Sequence, residues 1–272
     1  MRRALHVALA LSLGLVAHGC IGGNLGLPFR ATVDETRPLA PDGELELSNT
    51  NGSVRVVAWD QANVRVEATK RAASERALEE LTVEIEGEGN HVTVRTRYPR
   101  PHWLGNAGSV EYRVSVPRGA RVRVDDVNGR VEVGGVGGSV RAATVNGSVD
   151  LTEVGGSIEA SAVNGSVDVD VARVDPSARS RISTTNGSVR LTLPRDASAD
   201  VEAHTVNGSV SCDFDLTGGQ KSRRRLEGRI GNGGARFDLG TVNGSASVDR
   251  GLSAAASASH PPAEASPGQT TR

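Results

Sequence analysis

The chain has 272 residues, with 31 Lys and Arg against 32 Asp and Glu and a formal net charge of −1, which argues against a globally basic nucleic-acid binder. Two Trp, two Tyr and three Phe are too few for a base-stacking platform. Two cysteines exclude a disulfide scaffold and a four-cysteine zinc site. Hydrophobic residues at 37% together with 33 glycines are ordinary for a chain that buries a core.

Met1-Arg2-Arg3 is a short positive segment, and Ala4 to Val16 is an apolar run too short for a stable membrane span. Residues 1–19 therefore read as a secretory signal. Ala17-His18-Gly19 followed by Cys20 resembles the bacterial lipobox, with His18 where a small residue is usual and Ala17 where Leu is commonest. The resemblance implies that Cys20 becomes a lipidated first residue, anchoring the chain to a membrane of the cell envelope through its acyl chains. Cleavage after Gly19 with plain secretion is the alternative. Residues 20–30 then form a tether.

Between residues 31 and 125, period-two alternation marks strands at 44–57, 63–69, 81–86, 91–97, 109–116 and 120–124. Ala73 to Leu81 reads as one short helix with Ser74 as N-cap. This β-rich region is expected to pack onto the following repeats and cap them, because an uncapped sheet end invites aggregation.

From 126 to 250 one phrase recurs, Val-Asn-Gly-Ser-Val and its variants. Asn128, Asn146 and Asn164 are 18 apart, with Gly-Gly half-steps at 137 and 155. The later asparagines, Asn186, Asn207 and Asn243, follow at 22, 21 and 36. The last interval equals two 18-residue steps, as if one copy were missing or replaced. A short regular period means stacked units that cannot bury their faces alone. Alternation as in Val167-Asp168-Val169-Asp170-Val171 makes the unit β, and Asn-Gly supplies its turn. The expected fold is all-β: a single-stranded parallel β-solenoid of about 18–22 residues per coil. Counting from each Asn, positions −1 (Val127, Val145, Val163), +3 (Val131, Val149, Val167) and +5 (Val133, Leu151, Val169) are expected to be inward ladders. Cys212 falls on the +5 ladder as a small buried residue. The six asparagines are expected to hydrogen-bond up the stack. Residues 251–272, rich in Ala, Ser and Pro, are expected to form a disordered tail.

Leu45-Glu46-Leu47-Ser48-Asn49-Thr50-Asn51-Gly52-Ser53-Val54, then Trp59-Asp60 and the serial Val-Asn-Gly-Ser-Val copies, resemble a bacterial β-strand-repeat family of unknown function whose members carry an adhesin label. The chain is also similar to autotransporter-adhesin head domains. The resemblance spans roughly residues 31 to 250. It implies a β-solenoid in the cell envelope and brings no catalytic residues with it.

The sequence offers little chemistry for a reaction. The calcium β-roll repeat needs an Asp where Ser139 stands. Glu132, Asp150 and Asp168 form a weaker acidic row at position +4, ended by Arg190, and a solvated face explains it. A polysaccharide-active β-helix would have to recruit Asp168, Asp170 and Arg190. His91, His102 and His204 are scattered, and G-x-S-x-G is absent. Lys221 to Arg225 is one basic loop, and the six Asn-Gly-Ser triplets follow from the repeat. The reading is a non-enzymatic, envelope-anchored surface-binding or structural protein with no cofactor and no metal. Its binding face would comprise Glu132, Arg141, Asp150, Glu159, Asp168 and Arg190, engaging a glycan or an envelope or surface protein, and no nucleic acid. A periplasmic scaffold or envelope-stress component is the alternative.

Overall fold

The computed structural model describes residues 27–98 and 108–251. The signal segment, Cys20, His102 and the tail beyond Gly251 lie outside the described residues. Each repeat forms one coil of two strands that meet at the Asn-Gly corner. β6 (Arg121–Asp125), β8 (Val140–Asn146), β10 (Ile158–Asn164) and β12 (Arg179–Asn186) stack parallel and in register as a back sheet. β7 (Val131–Gly134), β9 (Val149–Val154), β11 (Val167–Val171) and β13 (Val189–Leu193) do the same as a front sheet. This is the parallel β-solenoid expected from the repeat. Its core is the filling between the sheets, with Val131, Val149, Val167 and Val189 on the front strands and Val122, Val140, Ile158 and Ile182 on the back strands all buried.

The order of coils in space differs from their order in the chain, and at both ends. β14 (Ala199–Asn207) and β15 (Val210–Cys212) do not stack on β12 and β13. The last coil, β18 (Ala235–Asn243) with β19 (Ala246–Arg250), is inserted between them. The 36-residue interval is therefore not a missing copy. Its extra length is β16 (Thr217–Lys221) and β17 (Arg225–Ile230), an antiparallel hairpin laid along the outer edge of β14. The 22-residue step has a simpler cause. Its surplus lies in the loop 172–178 at the corner opposite the asparagines, folded by Asp175 accepting from the Ser177 N–H at 2.9 Å.

The N-terminal end repeats the device. The second half of β1 (Phe29–Ser48) and β2 (Val54–Trp59) form a coil directly against β6 and β7. β4 (Thr82–Arg97) and β5 (Ser109–Pro117), although nearer to β6 in the chain, stack on the far side of that coil. β3 (Asn63–Ala72) then pairs antiparallel with both β5 and the first half of β1. The 31–125 region thus supplies full coils of the stack as well as its end. The single helix, α1 (Glu75–Glu80), starts at Ser74, whose hydroxyl accepts from the Ala77 N–H at 3.2 Å.

The corner explains two further departures from the sequence reading. The −1 ladder does not point inward: Val127, Val145, Val163, Val206 and Val242 are 36–53% exposed. Two consecutive residues, −1 and the Asn, both face outward where the chain turns, so alternation restarts after the corner. Position −2 is the inward one, filled by the buried Thr144, Thr184, Thr205 and Thr241. Nor do the corner asparagines supply a left-handed turn, since Glu153 is the one non-glycine with positive φ among the described residues. Glycine is needed for close approach. A Cβ at Gly165 would run into the Gly147 carbonyl, one at Gly147 into that of Gly129, and one at Gly208 into that of Gly244.

Gly165→Ala should accordingly cost about 2–4 kcal/mol, because backbone cannot move aside as a side chain can; chemical denaturation of the variant measures it. The interleaved order has its own test. In a Cys212→Ser background, Arg181→Cys with Asp238→Cys places the pair on adjacent strands, about 5 Å apart at Cα. That separation is within disulfide reach. Arg181→Cys with Glu202→Cys places them two strands apart, roughly 10 Å, beyond it. Oxidation should cross-link the first pair and not the second.

Candidate functional site

The six charged residues expected to share one face divide between two. Glu132, Asp150, Asp168 and Arg190 follow one another in register along the front sheet. Arg141 and Glu159 are register partners on the back sheet. The front row is largely neutralised locally. Glu132 pairs with Arg55, Asp150 lies 3.4 Å from Arg130, and Arg190 bridges Asp168 at 3.6 Å and Asp249 at 3.2 Å. Burial raises the pKa of Asp168, against the charge of Arg190 and with that of Asp150. The three carboxylates form no metal-binding cluster; among the described residues no group of three potential ligands converges.

The back sheet carries a concavity of about 580 Å³. It runs across β1, β6, β8, β10, β12 and β18, beginning near Glu44 and ending at Arg236 and Asp238. Its walls hold Arg121, Arg123, Arg141, Arg179, Arg181 and Arg236 against Glu44, Glu159 and Asp238, with Ser139, Ser157 and Ser180 between them. Arg141 pairs with Glu159, Arg181 with Asp238 at 3.2 Å, and Arg236 reaches out of the groove to Glu202 at 3.2 Å. Arg121 and Arg179 have no ion-pair partner among the described residues. Only two of the nine charged residues in this groove, Arg141 and Glu159, were singled out by sequence. The others are separated by up to 194 positions, from Glu44 to Asp238, and share a groove because of register alone.

The third repeated surface is the corner itself. Asn128 Nδ2 donates to Asn51 Oδ1 at 2.8 Å, and each further Asn donates to its neighbour at 2.8–2.9 Å, in the order Asn146, Asn164, Asn186, Asn243, Asn207. The row is exposed rather than buried, and Asn51 extends it beyond the six positions read from the repeat. Beside it runs the exposed valine row of position −1. His91 and His204 stand far apart, and Cys212 is half-buried with its thiol pKa raised by burial.

Among the described residues, one carboxyl has both oxygens buried without a hydrogen bond. Asp126 occupies the −2 position, where Thr184 Oγ1 donates to the Gly165 carbonyl at 2.7 Å and Thr241 Oγ1 to that of Gly187 at 2.9 Å. The corresponding acceptor below Asp126 is the Gly52 carbonyl, and an ionised carboxylate has no proton to give it. Both carboxylate oxygens are buried without a hydrogen bond, and the residue is 5% exposed. Burial pushes its pKa up to about 6; the Val127 N–H, close by but outside hydrogen-bond geometry, offsets this in part. Around it lies a polar knot at the N-terminal corner. The Tyr98 and Thr96 hydroxyls each donate to Asn49 Oδ1 at 2.9 Å, and burial pushes Tyr98 up to about 12. The knot is internally bonded and lies outside the back-sheet groove, so Asp126 reads as a structural position rather than an acid waiting for a substrate.

Residues 122–249, the span from β6 through β19, match the family described as Toastrack DUF4097. The resemblance to a β-repeat family of unknown function is thus established for this part of the chain. Among solved structures, the chain is similar to a "putative cell adhesion protein" from Clostridium sporogenes, at 8% identity and a TM-score of 0.44, over 81% of this chain and 100% of that one. It is also similar to a "putative adhesin" from Bacteroides fragilis, at 8% identity and a TM-score of 0.37, over 80% of this chain and 96% of that one. No curated protein matches the chain.

The carboxyl of Asp126 ionises less readily when folded than when unfolded, so its protonated form favours the fold. That contribution is complete below about pH 3.8 and is lost as the pH rises through about 6. Asp126→Thr removes the buried carboxyl and places there the hydroxyl that Thr144, Thr184, Thr205 and Thr241 supply in four other coils. It should stabilise the protein by about 1–2 kcal/mol at pH 8, after discounting for solvent screening, with the gain shrinking toward zero near pH 4. Urea denaturation at the two pH values reads this difference.

Proposed function

We propose that this protein is a non-enzymatic, envelope-anchored β-solenoid that displays repeated outward rows as a binding surface. The observation that supports the reading is register. Successive coils place equivalent positions one above another at the strand spacing of about 4.8 Å, so any group on one coil has counterparts along a rigid face. A repetitive partner can then make many weak contacts at once, and avidity supplies the strength. Anchoring rests on the lipobox-like segment ending at Cys20, and an adhesin-like role at the cell surface is the reading consistent with it.

A second reading has its own support. The exposed valine row beside the asparagines is the type of apolar strip that a protein partner covers. It favours a periplasmic scaffold that binds other envelope proteins and never reaches the outside.

Protease shaving of intact cells separates the two. The surface reading expects release of a fragment containing residues 31–250 from unbroken cells, with a periplasmic control protein untouched. Full protection until the outer barrier is breached would overturn it and leave the scaffold.

A further inference from the structure

We infer that the back-sheet groove binds an acidic polysaccharide, its arginines taking the carboxylates and its acids and serines taking the sugar hydroxyls. The inference rests on the reading of the protein as a surface for repetitive partners, and names the class of partner for this face.

The argument begins with charge. Six arginines and three carboxylates line the groove, an excess of three positive charges of which two are offset from outside the lining, by Asp125 on Arg123 at 3.0 Å and Glu202 on Arg236 at 3.2 Å. The excess is also arranged unfavourably for the protein alone. Arg123 and Arg141 are register partners on adjacent strands, and so are Arg179 and Arg236. Like charges stacked directly across a ladder repel, and an anion lying between them relieves the repulsion. Arg121 and Arg179 have guanidinium groups free of any ion pair among the described residues. A carboxylate arriving there gains a charge-assisted, bidentate partner without displacing one.

Shape and the remaining lining choose the polymer. The groove crosses six strands, so it runs roughly 24 Å, the length of a short oligosaccharide rather than of a single anion. Arg121 and Arg179 are three strands apart, roughly 14 Å, which suits charges spaced along a chain with neutral groups between. Glu159 and Asp238 lie between the arginines as hydroxyl acceptors, and Ser139 and Ser157 add further polar contacts. A nucleic acid would find no aromatic side chain in the lining on which to stack a base. A uronate polymer carries both the carboxylates and the hydroxyls that this mixed lining requires.

The test uses the full-length chain and polygalacturonate as probe, with dextran, single-stranded DNA and vesicles containing phosphatidylglycerol in parallel, followed by calorimetry at low and high salt. Binding to polygalacturonate that weakens with salt, with none to dextran, is expected. Arg121→Ala combined with Arg179→Ala should weaken it by about tenfold or more, Arg121→Lys with Arg179→Lys should restore part of it, and Arg190→Ala on the front sheet should leave it unchanged. Far-ultraviolet circular dichroism of each variant separates lost binding from lost fold. No binding to polygalacturonate, equal or tighter binding to DNA or vesicles, or binding insensitive to the double substitution in a folded protein would each overturn the inference. Cell shaving is independent of all these outcomes. A surface-exposed chain that ignores polygalacturonate loses only the ligand class, whereas a protected chain that binds it loses only the surface location.

Discussion

Everything in this molecule follows from how closely one backbone corner can lie on the next. At the Asn-Gly corner the coils approach until the glycine of one stands against the carbonyl of its neighbour, with no room for a Cβ. That contact sets the stacking distance, and the stacking distance sets the ladders. The Asn amides then fall within hydrogen-bonding range of each other, donor to acceptor in one direction along seven residues. Inside the corner, the threonine hydroxyls of position −2 give their protons to the same glycine carbonyls. A single geometric constraint therefore selects Thr or another small residue, Asn and Gly within four positions of the repeat. Where Asp126 replaces the threonine, the mismatch appears as an unpartnered buried carboxyl.

A parallel stack has a problem at its ends, where unpaired strand edges would recruit further chains. Among the described residues, the outermost parallel coils are not the first and last in chain order. At the N-terminal end the coil of β1 and β2 lies beneath that of β4 and β5, and at the C-terminal end the coil of β18 and β19 lies beneath that of β14 and β15. Antiparallel pairings, β1 with β3 and β16 with β17, then cover the outer strands. The last coil in the chain is held from both sides, with β18 between β12 and β14 and β19 between β13 and β15, whereas the first half of β1 pairs with β3 alone. The cost is that these strands join partners distant in the chain, the kind of contact that slows folding.

The outward residues were left to surface chemistry, and the two sheets use that freedom differently. On the front sheet three acids stack in succession, but Arg55, Arg130 and Arg190 lie close enough to pair with them, as Arg190 does between Asp168 and Asp249. On the back sheet, Arg123 meets Arg141 and Arg179 meets Arg236, and two of the six arginines lining the groove have no ion-pair partner among the described residues. The same scaffold therefore presents one self-satisfied face and one with electrostatic demand. That asymmetry, rather than the repeat itself, is what marks the back sheet as the face for a ligand.

The local pattern of the chain determined the β class, the coil unit, the short capped helix at Ser74 and the asparagine row, because each depends on residues a few positions apart or on a period shared by every copy. Asn146 and Asn164 meet because both sit at the same place in an 18-residue unit. The sense of position −1 was not legible, since it depends on how the backbone turns at the corner and not on alternation along a strand. The order of the coils was decided by tertiary structure alone. Asn186 stands as far from Asn207 as one repeat allows, yet Asn243 lies between them. Nothing local to residues 235–250 names that slot; it exists only once β14 and the hairpin beyond it have folded back. The groove shares this dependence: Arg179 and Arg236, 57 positions apart, become neighbours through the inserted coil, and their juxtaposition is a property of the stack rather than of either segment.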